Sequence, residues 1–393
     1  MLCHGCRASD CTYVGQMSTN TPLLAFMLAW AASPALAQTQ SFNTEAVTLR
    51  ADVIAGGLDH PWGLDFLPGN EAIVTERSGN IRILSEGGLS EPVSGVPKVA
   101  ARGQGGLLDI AVARDFATSG TIFFSFSEPG RGGTGTALAR AKLIRDGAEA
   151  RLDDVKVIFS MNRKTGTSHH FGSRIVVNDD GTLFVTTGDR GQGDRAQDMQ
   201  DHAGAVIRIN ADGSIPADNP APDGKAMAAE IWSKGHRNLQ GATFDPVLGG
   251  LITVEHGAQG GDELNRPQAG KNYGWPVITY GRDYSGEKIG VGTSAKGYEQ
   301  PLYYWDPSIA PSGLASYQGE MFPEWKGDLL VGSLKFELLS RLDRDAKGNI
   351  LDEERILDGA FGRIRDVNVA PDGSIWLLTD EGDGMIVRLS RGD

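Results

Sequence analysis

Along the chain, short apolar runs alternate with turns rich in Asp, Asn and Gly, and one unit recurs. Each copy has an apolar run, a turn, a strand rich in β-branched residues and a polar tip. The copies are LDFLPGNEAIVTER (64–77), VARDFATSGTIFFSFSE (112–128), IVVNDDGTLFVTTGD (175–189), ATFDPVLGGLITVEHG (242–257), MFPEWKGDLLVGSLK (321–335) and VNVAPDGSIWLLTDEG (367–382). A further strand such as NIRILS, AVIRIN or MIVRLS follows several of them. Such alternation, punctuated by Gly/Asp turns, predicts antiparallel β meanders. The copies return at intervals of roughly 45 to 80 residues, which is one four-stranded blade each, with insertions. The expected fold is all-β: a six-bladed β-propeller with four-stranded antiparallel blades. A β-sandwich, or two smaller β domains, is the alternative. In a propeller, polar residues at blade ends that are far apart in sequence converge on one axial site.

Composition narrows the picture. Forty per cent hydrophobic content in 393 residues is ample for a core, and 53 glycines without a Gly-X-Y period fit a turn-rich fold. A net charge of −13 argues against nucleic acid and against anionic membrane surfaces. PLLAFMLAWAASPALA (22–37) has the length of a signal peptide and ends in the small-residue site Ala35-Leu36-Ala37 before Gln38. It is too short and interrupted for a transmembrane span, so no stable membrane insertion is expected. No Lys or Arg separates Met17 from this run, and residues 1–16 read as a possible extension before the true start. A retained hydrophobic anchor is the alternative. Cys3, Cys6 and Cys11 all precede Met17, so an exported chain cut near Ala37-Gln38 has no cysteine and no redox requirement. The expectation is a signal segment over 1–37 and a single propeller over 38–393, located in the periplasm.

The polar clusters carry the candidate chemistry, and many include glycine, which lets a backbone approach a ligand closely. SHHFGSR (168–174) places two of only seven histidines side by side, and His170 is a general-base candidate near neutral pH. Arg237, Lys335, Arg363 and Arg365 lie in short motifs from separate blades. Cations gathered about one axis of an acidic protein suit an anionic ligand with carboxylates; surface pairing with Asp and Glu is the plain alternative. Arg363 and Arg365 alternate along a strand and face the same way. EHGAQGGDELN (255–265) offers carboxylates and Gly-rich peptides, the oxygen chemistry of calcium, without EF-hand spacing; an ordinary acidic loop is the alternative. No His/Cys constellation indicates zinc, and no P-loop, Rossmann or G-x-S-x-G motif is present.

In this order, GHRNLQG, the EHG…DELN…GKNYGWP block, APSG, GSLK and R-x-RDV resemble the soluble pyrroloquinoline quinone (PQQ)-dependent glucose and aldose sugar dehydrogenases, over about residues 50–390. The aldose sugar dehydrogenase branch, with shorter loops, is the nearer likeness. The resemblance implies that His170 takes the proton from the anomeric hydroxyl while hydride passes to the quinone. It implies that Gln104 lies near the sugar, and that His169 stands where the glucose branch has an acidic substrate-holding residue. Arg237 and Asn238 then lie on the cofactor side, with Arg237 stabilising charge on the quinone. Lys335, Arg363 and Arg365 hold cofactor carboxylates and quinone oxygens, and Ser308 replaces a threonine that contacts the cofactor. The carbonyls of Gly257 and Ala258 bind Ca²⁺, and Glu263 with the Tyr273 carbonyl forms a further calcium site. The partners implied are an aldose sugar and an unidentified acceptor, a quinone or a cytochrome, with a monomer or homodimer as the assembly. Two rivals remain: a calcium-dependent propeller sugar lactonase and a non-enzymatic binding propeller. The lactonase has no need for Lys335, Arg363 and Arg365 together, and intact His170, Arg237, Asn238 and Lys335 argue against the binding propeller.

Overall fold

The computed structural model describes residues 39–147 and 149–392. The expected leader, its expected cleavage site near Ala37-Gln38 and the three cysteines lie outside them. The described residues form six antiparallel sheets. Blades 1 to 5 span 61–89, 107–160, 175–234, 239–305 and 311–356, each four-stranded. Blade 6 combines Ile364–Val369, Ile375–Thr379 and Gly384–Arg391 with Thr48–Leu58 and Thr39–Asn43 from the N-terminal side. It therefore has five strands rather than four. The N-terminal strand Thr48–Leu58 pairs with Gly384–Arg391 along their length and closes the ring. The extra strand, Thr39–Asn43, covers what would otherwise be an open outer edge.

The innermost strands are Pro61–Leu67, Leu107–Val112, Ile175–Val177, Leu239–Asp245, Pro311–Ser316 and Ile364–Val369. They pack side by side around the axis in chain order, the last against the first. The second strands are buried on both faces. Ala72, Ile73 and Val74 are fully covered, as are Ile375 and Leu377 of blade 6. Packing between neighbouring blades removes the solvent face, so these strands read as continuous apolar runs. Turn chemistry sets their spacing: in NDDGT, Gly181 takes φ +81° while Asp180 Oδ1 accepts from the Thr182 N–H at 2.9 Å. The fifth repeat differs from its sequence reading. Its run MFPEW is a short turn around Pro323–Trp325 whose Phe322 and Trp325 fill the core, and the inner strand of that blade lies upstream in PSGLAS.

The axis is closed by one buried cluster. Arg174 Nη1 lies 2.8 Å from both Asp109 Oδ1 and Asp366 Oδ1. Its Nε donates to the Gln240 carbonyl at 3.1 Å, and its guanidinium sits 4.5 Å from the Trp62 ring. The other carboxylate oxygens accept the Ile175 and Leu64 amides at 2.7 and 3.0 Å. Gly63 is required here, because a Cβ would fall inside the Asp109 carboxylate. Inner-strand residues on one side of this plug line a cavity of about 490 Å³, which carries none of the candidate site residues. Those on the other side line a cavity of about 160 Å³, which does.

Arg174→Met keeps the stem but leaves two carboxylates buried without their cation. It is expected to cost about 3–5 kcal/mol in denaturant unfolding. Burial already pushes the Asp109 carboxyl above its ordinary range, outweighing Arg174. Its folded-state value is raised, so protonation favours the fold, and the deficit of the variant should shrink as pH falls. A variant as stable as the parent at neutral pH would show that the plug is not a stability element.

Candidate active site

SHHFGSR leads into the inner strand of blade 3 through a strained backbone. His170 has φ +55° and Ser173 φ +95°, left-handed values that non-glycine residues rarely adopt. Neighbouring groups hold this shape. The His170 N–H donates to Gln104 Oε1 at 2.8 Å, the Gly172 N–H to Asn238 Oδ1 at 3.2 Å and the Ser173 N–H to the Thr186 carbonyl at 2.7 Å. The result is a His170 ring only 13% exposed, with Nδ1 2.6 Å from Asp189 Oδ1. Asp189 is itself fixed by the Trp275 indole N–H at 2.8 Å and the Gly191 N–H at 2.7 Å. Burial opposes its charge, yet His170, Arg237 and the Gly191 amide keep its carboxyl below the ordinary range. An ionised Asp189 can only accept, so the neutral ring carries its proton on Nδ1 and presents Nε2 as a base. Burial, opposed by Asp189, holds His170 below the usual imidazole value, so it is neutral at pH 7. His169 packs edge-on against it, ring centroids 4.7 Å apart.

The residues beside His170, Phe171 and Gly172, line the 160 Å³ axial cavity with Gln104, Gln240 and His256. The far wall is cationic. Arg365 is buried, donates Nη1 to Gln240 Oε1 at 3.1 Å and pairs through Nη2 with Asp380. Arg363 donates to the Leu334 carbonyl at 3.1 Å and approaches the same carboxylate at 3.5 Å. Both face the cavity, as their alternation predicts. Burial favours the neutral acid at Asp380, but Arg365, Arg77 and Arg363 together hold its carboxyl far below the ordinary range. Two buried donors at this site have no partner, Asn238 Nδ2 and Arg365 Nε. Unmet donors of this kind beside surplus cations fit a ligand rich in carboxylate and carbonyl oxygens. Of the expected sugar and cofactor residues, Gln104, Arg363 and Arg365 line the cavity, His169, His170, Arg237 and Asn238 lie behind or beside that lining, and Lys335 and Ser308 are turned to other partners. Lys335 is exposed, its ammonium 5.0 Å from the Phe336 ring, and the Ser308 hydroxyl is engaged with Asp262 Oδ2 at 2.7 Å.

Next to the axial cavity is a hole of about 10 Å³, room for one water or one ion, lined by Arg237, His256, Gly257, Glu255, Glu263 and Tyr273 among others. The 257–261 loop folds back tightly here: a Cβ on Gly257 would collide with the Gly260 and Gly261 carbonyls. Asp262 pins it, accepting the Gly257 N–H at 2.8 Å and the Ala310 N–H at 2.9 Å. Glu263 is half-buried beside the buried Glu255, and desolvation followed by that neighbour pushes its carboxyl above the ordinary range. Two such carboxylates with carbonyl oxygens nearby are a donor set for a hard cation. Among the described residues no group of three or more His, Cys, Asp or Glu side chains has metal-binding geometry, so carbonyls would have to share the ligation. His256 lines both cavities, and Arg237 lines the smaller one. The Arg237 N–H donates to Glu255 Oε2 at 2.6 Å, and its guanidinium lies 5.3 Å from the Trp275 ring.

Residues 58–388 match the family described as Glucose / Sorbosone dehydrogenase. The chain belongs to the glucose/sorbosone dehydrogenase family. An aldose sugar dehydrogenase of Escherichia coli, YliI, is 41% identical over 364 residues, 91% of this chain and 97% of that one. The quinoprotein glucose dehydrogenase B of Acinetobacter calcoaceticus is 27% identical, over 88% of each chain. The PQQ-bound form of an aldose sugar dehydrogenase from Streptomyces coelicolor superposes with a TM-score of 0.72 at 28% identity, covering 91% of this chain and 99% of that one.

Sequence reading missed several residues that organise the site of this dehydrogenase: Asp189, Trp275, Glu255, His256 and Asp380. One signal was available. At or just past the end of the second strand, four blades carry a carboxylate: Glu76, Asp189, Glu255 and Asp380. Asp189→Asn should remove the anion that favours the imidazolium and lower the His170 pKa further, as read by NMR titration of the ring. A rise, or no change, would show that Asp189 is not its partner in solution.

Proposed function

We propose that this dehydrogenase oxidises the anomeric hydroxyl of aldose sugars to the lactone, with His170 as general base and calcium-bound PQQ as hydride acceptor. The observation that carries the proposal is a neutral histidine, oriented by Asp189, beside a cavity whose opposite wall is an arginine cluster with unmet donors. His170 Nε2 accepts the hydroxyl proton, and Asp189 stabilises the imidazolium that forms. Gln104 serves twice, holding the His170 backbone and lining the sugar side of the cavity. His169, in edge contact with the base, lies against the same sugar. When bound, the quinone receives the hydride and calcium polarises its carbonyl. Arg363, Arg365 and Asn238 would hold its oxygens, with Lys335 and Ser308 reaching it after a change of rotamer. Arg237 would offset charge at the reacting carbonyl. The carbonyls of Gly257 and Ala258 would hold one calcium, and Glu263 with the Tyr273 carbonyl a second.

The cationic wall disfavours the lactonase reading, which would place an axial calcium where three guanidiniums share one carboxylate. Export to the periplasm, release of the leader near Ala37-Gln38, a quinone or cytochrome as final acceptor, and a monomeric or homodimeric state complete the proposal. Among the described residues no helix is long and apolar enough to cross a membrane.

Dye reduction by the purified protein with an aldose should require both calcium and PQQ and stop on chelation. Lactone hydrolysis without cofactor would overturn the proposal. His170→Ala should lower kcat by roughly 10²–10⁴-fold while leaving the quinone titration unchanged. Because burial holds His170 below 6.5, the parent's rate should stay level through neutral pH and fall only below that value. A parental acid limb above pH 7 would contradict the assignment.

A further inference from the structure

Around the axial rim, the 168–174 loop supplies the base, the blade 3–4 connection supplies Arg237, and blade 6 supplies Arg363 and Arg365. Blade 1 fills the remaining arc, and there Arg77 ends the stretch LDFLPGNEAIVTER and lines the cavity. Its backbone is fixed on both sides. The N–H donates to the His60 carbonyl at 3.1 Å, and the carbonyl accepts the Leu107 N–H at 3.1 Å. Its side chain is 23% exposed, and Nη1 stops 3.8 Å from Asp380 Oδ1, beyond hydrogen-bonding reach. Among the described residues this guanidinium makes no hydrogen bond at all.

Asp380 takes its hydrogen bonds from other groups. One oxygen receives Arg365 Nη2 and, at 3.5 Å, Arg363; the other lies 3.2 Å from His60 Nδ1. Asp380 already has three partners without Arg77, whose N–H donors are left facing the cavity. Three guanidiniums against one carboxylate leave a positive surplus there.

We propose that Arg77 is an anion-recognising arm of the axial site, holding a carboxylate of the bound ligand that Arg363 and Arg365 do not reach. The inference rests on the functional reading above. A carboxylate at Arg77 has two possible sources: the quinone cofactor, or an acidic aldose such as a uronic acid. A purely structural arginine would serve neither.

The experiment compares the parent with Arg77→Gln and Arg77→Lys. Calcium-loaded, cofactor-free protein is titrated with PQQ by tryptophan fluorescence. If the cofactor is the source, Arg77→Gln should weaken binding on the order of 10-fold or more, with partial recovery in Arg77→Lys. If the substrate is the source, cofactor affinity should hold, while the kcat/KM ratio of glucuronate to glucose falls about 10-fold and recovers in the lysine variant. A third arm needs no quinone chemistry: citrate is titrated into cofactor-free protein by calorimetry. Citrate binding that depends on Arg77 in a protein that never binds PQQ would sink the functional reading and keep this inference. Changes below about 2-fold in all three arms, in folded variants, would overturn the inference and reduce Arg77 to a distant counter-charge of Asp380.

Discussion

One guanidinium holds the centre of the molecule. Arg174 joins blades 1, 2, 3, 4 and 6 through Trp62, Asp109, its own strand, Gln240 and Asp366. A ring of blades has no natural core at its axis, because the inner strands diverge around a channel. Filling that channel with a buried ion cluster excludes bulk water and locks the inner strands in relation to one another. Such a cluster tolerates little loss, since a buried carboxylate without its cation is costly. The catalytic geometry is built directly on it. Gln240 gives its carbonyl to Arg174, while its carboxamide contacts Asn238 and the Gly172 carbonyl and accepts from Arg365. Trp62 lies under Arg174 and within 5.8 Å of Arg365. Base loop and cation wall are thus referred to the same rigid plug.

Repetition explains how the site is made. Each blade delivers the end of its second strand to the same rim, and four blades place a carboxylate there. Each carboxylate has been put to a different use. Glu76 accepts the Asp59 N–H and the Asn80 carboxamide, a structural task. Asp189 sets the tautomer of His170. Glu255 fixes His236 at 2.7 Å and the Arg237 backbone. Asp380 gathers the arginines. Strand ends repeated by the fold thus yield a loop anchor, a partner for His170, a support for the Arg237 backbone and a hub for three arginines.

Electrostatics divides the cavity. The protein is acidic overall, yet its axial wall is positive, while the base opposite stays neutral. Both conditions are needed together. A cationic wall suits an anionic ligand, and a nearby guanidinium also disfavours a protonated histidine, as Arg237 does at His170. The same cations, with burial first, hold His256 in the neutral form, pushed down to about 3, where its Nε2–H donates to the Pro311 carbonyl at 2.8 Å. Asp189 offsets this pressure at His170, which sets it apart from His256 and fits the proposed role of a base.

The amino-acid sequence alone determined the strands, their turns and their sixfold recurrence, because β-branched runs and Asp/Gly turns act over a few residues. It also marked His170, Arg237, Arg363 and Arg365, which sit in short motifs with distinctive composition. It did not mark the partners that give them their properties. His60 meets Asp380 across 320 positions, Asp366 meets the Leu64 amide across 302, and Trp275 meets Asp189 across 86. Lys335 and Ser308 carry strong motifs, yet their side chains rest on Phe336 and Asp262. Even the closing blade, with its five strands, required the two ends of the described chain to meet. Which residues share the axis depends on ring closure, and closure is a property of blade packing around a circle that no local pattern encodes.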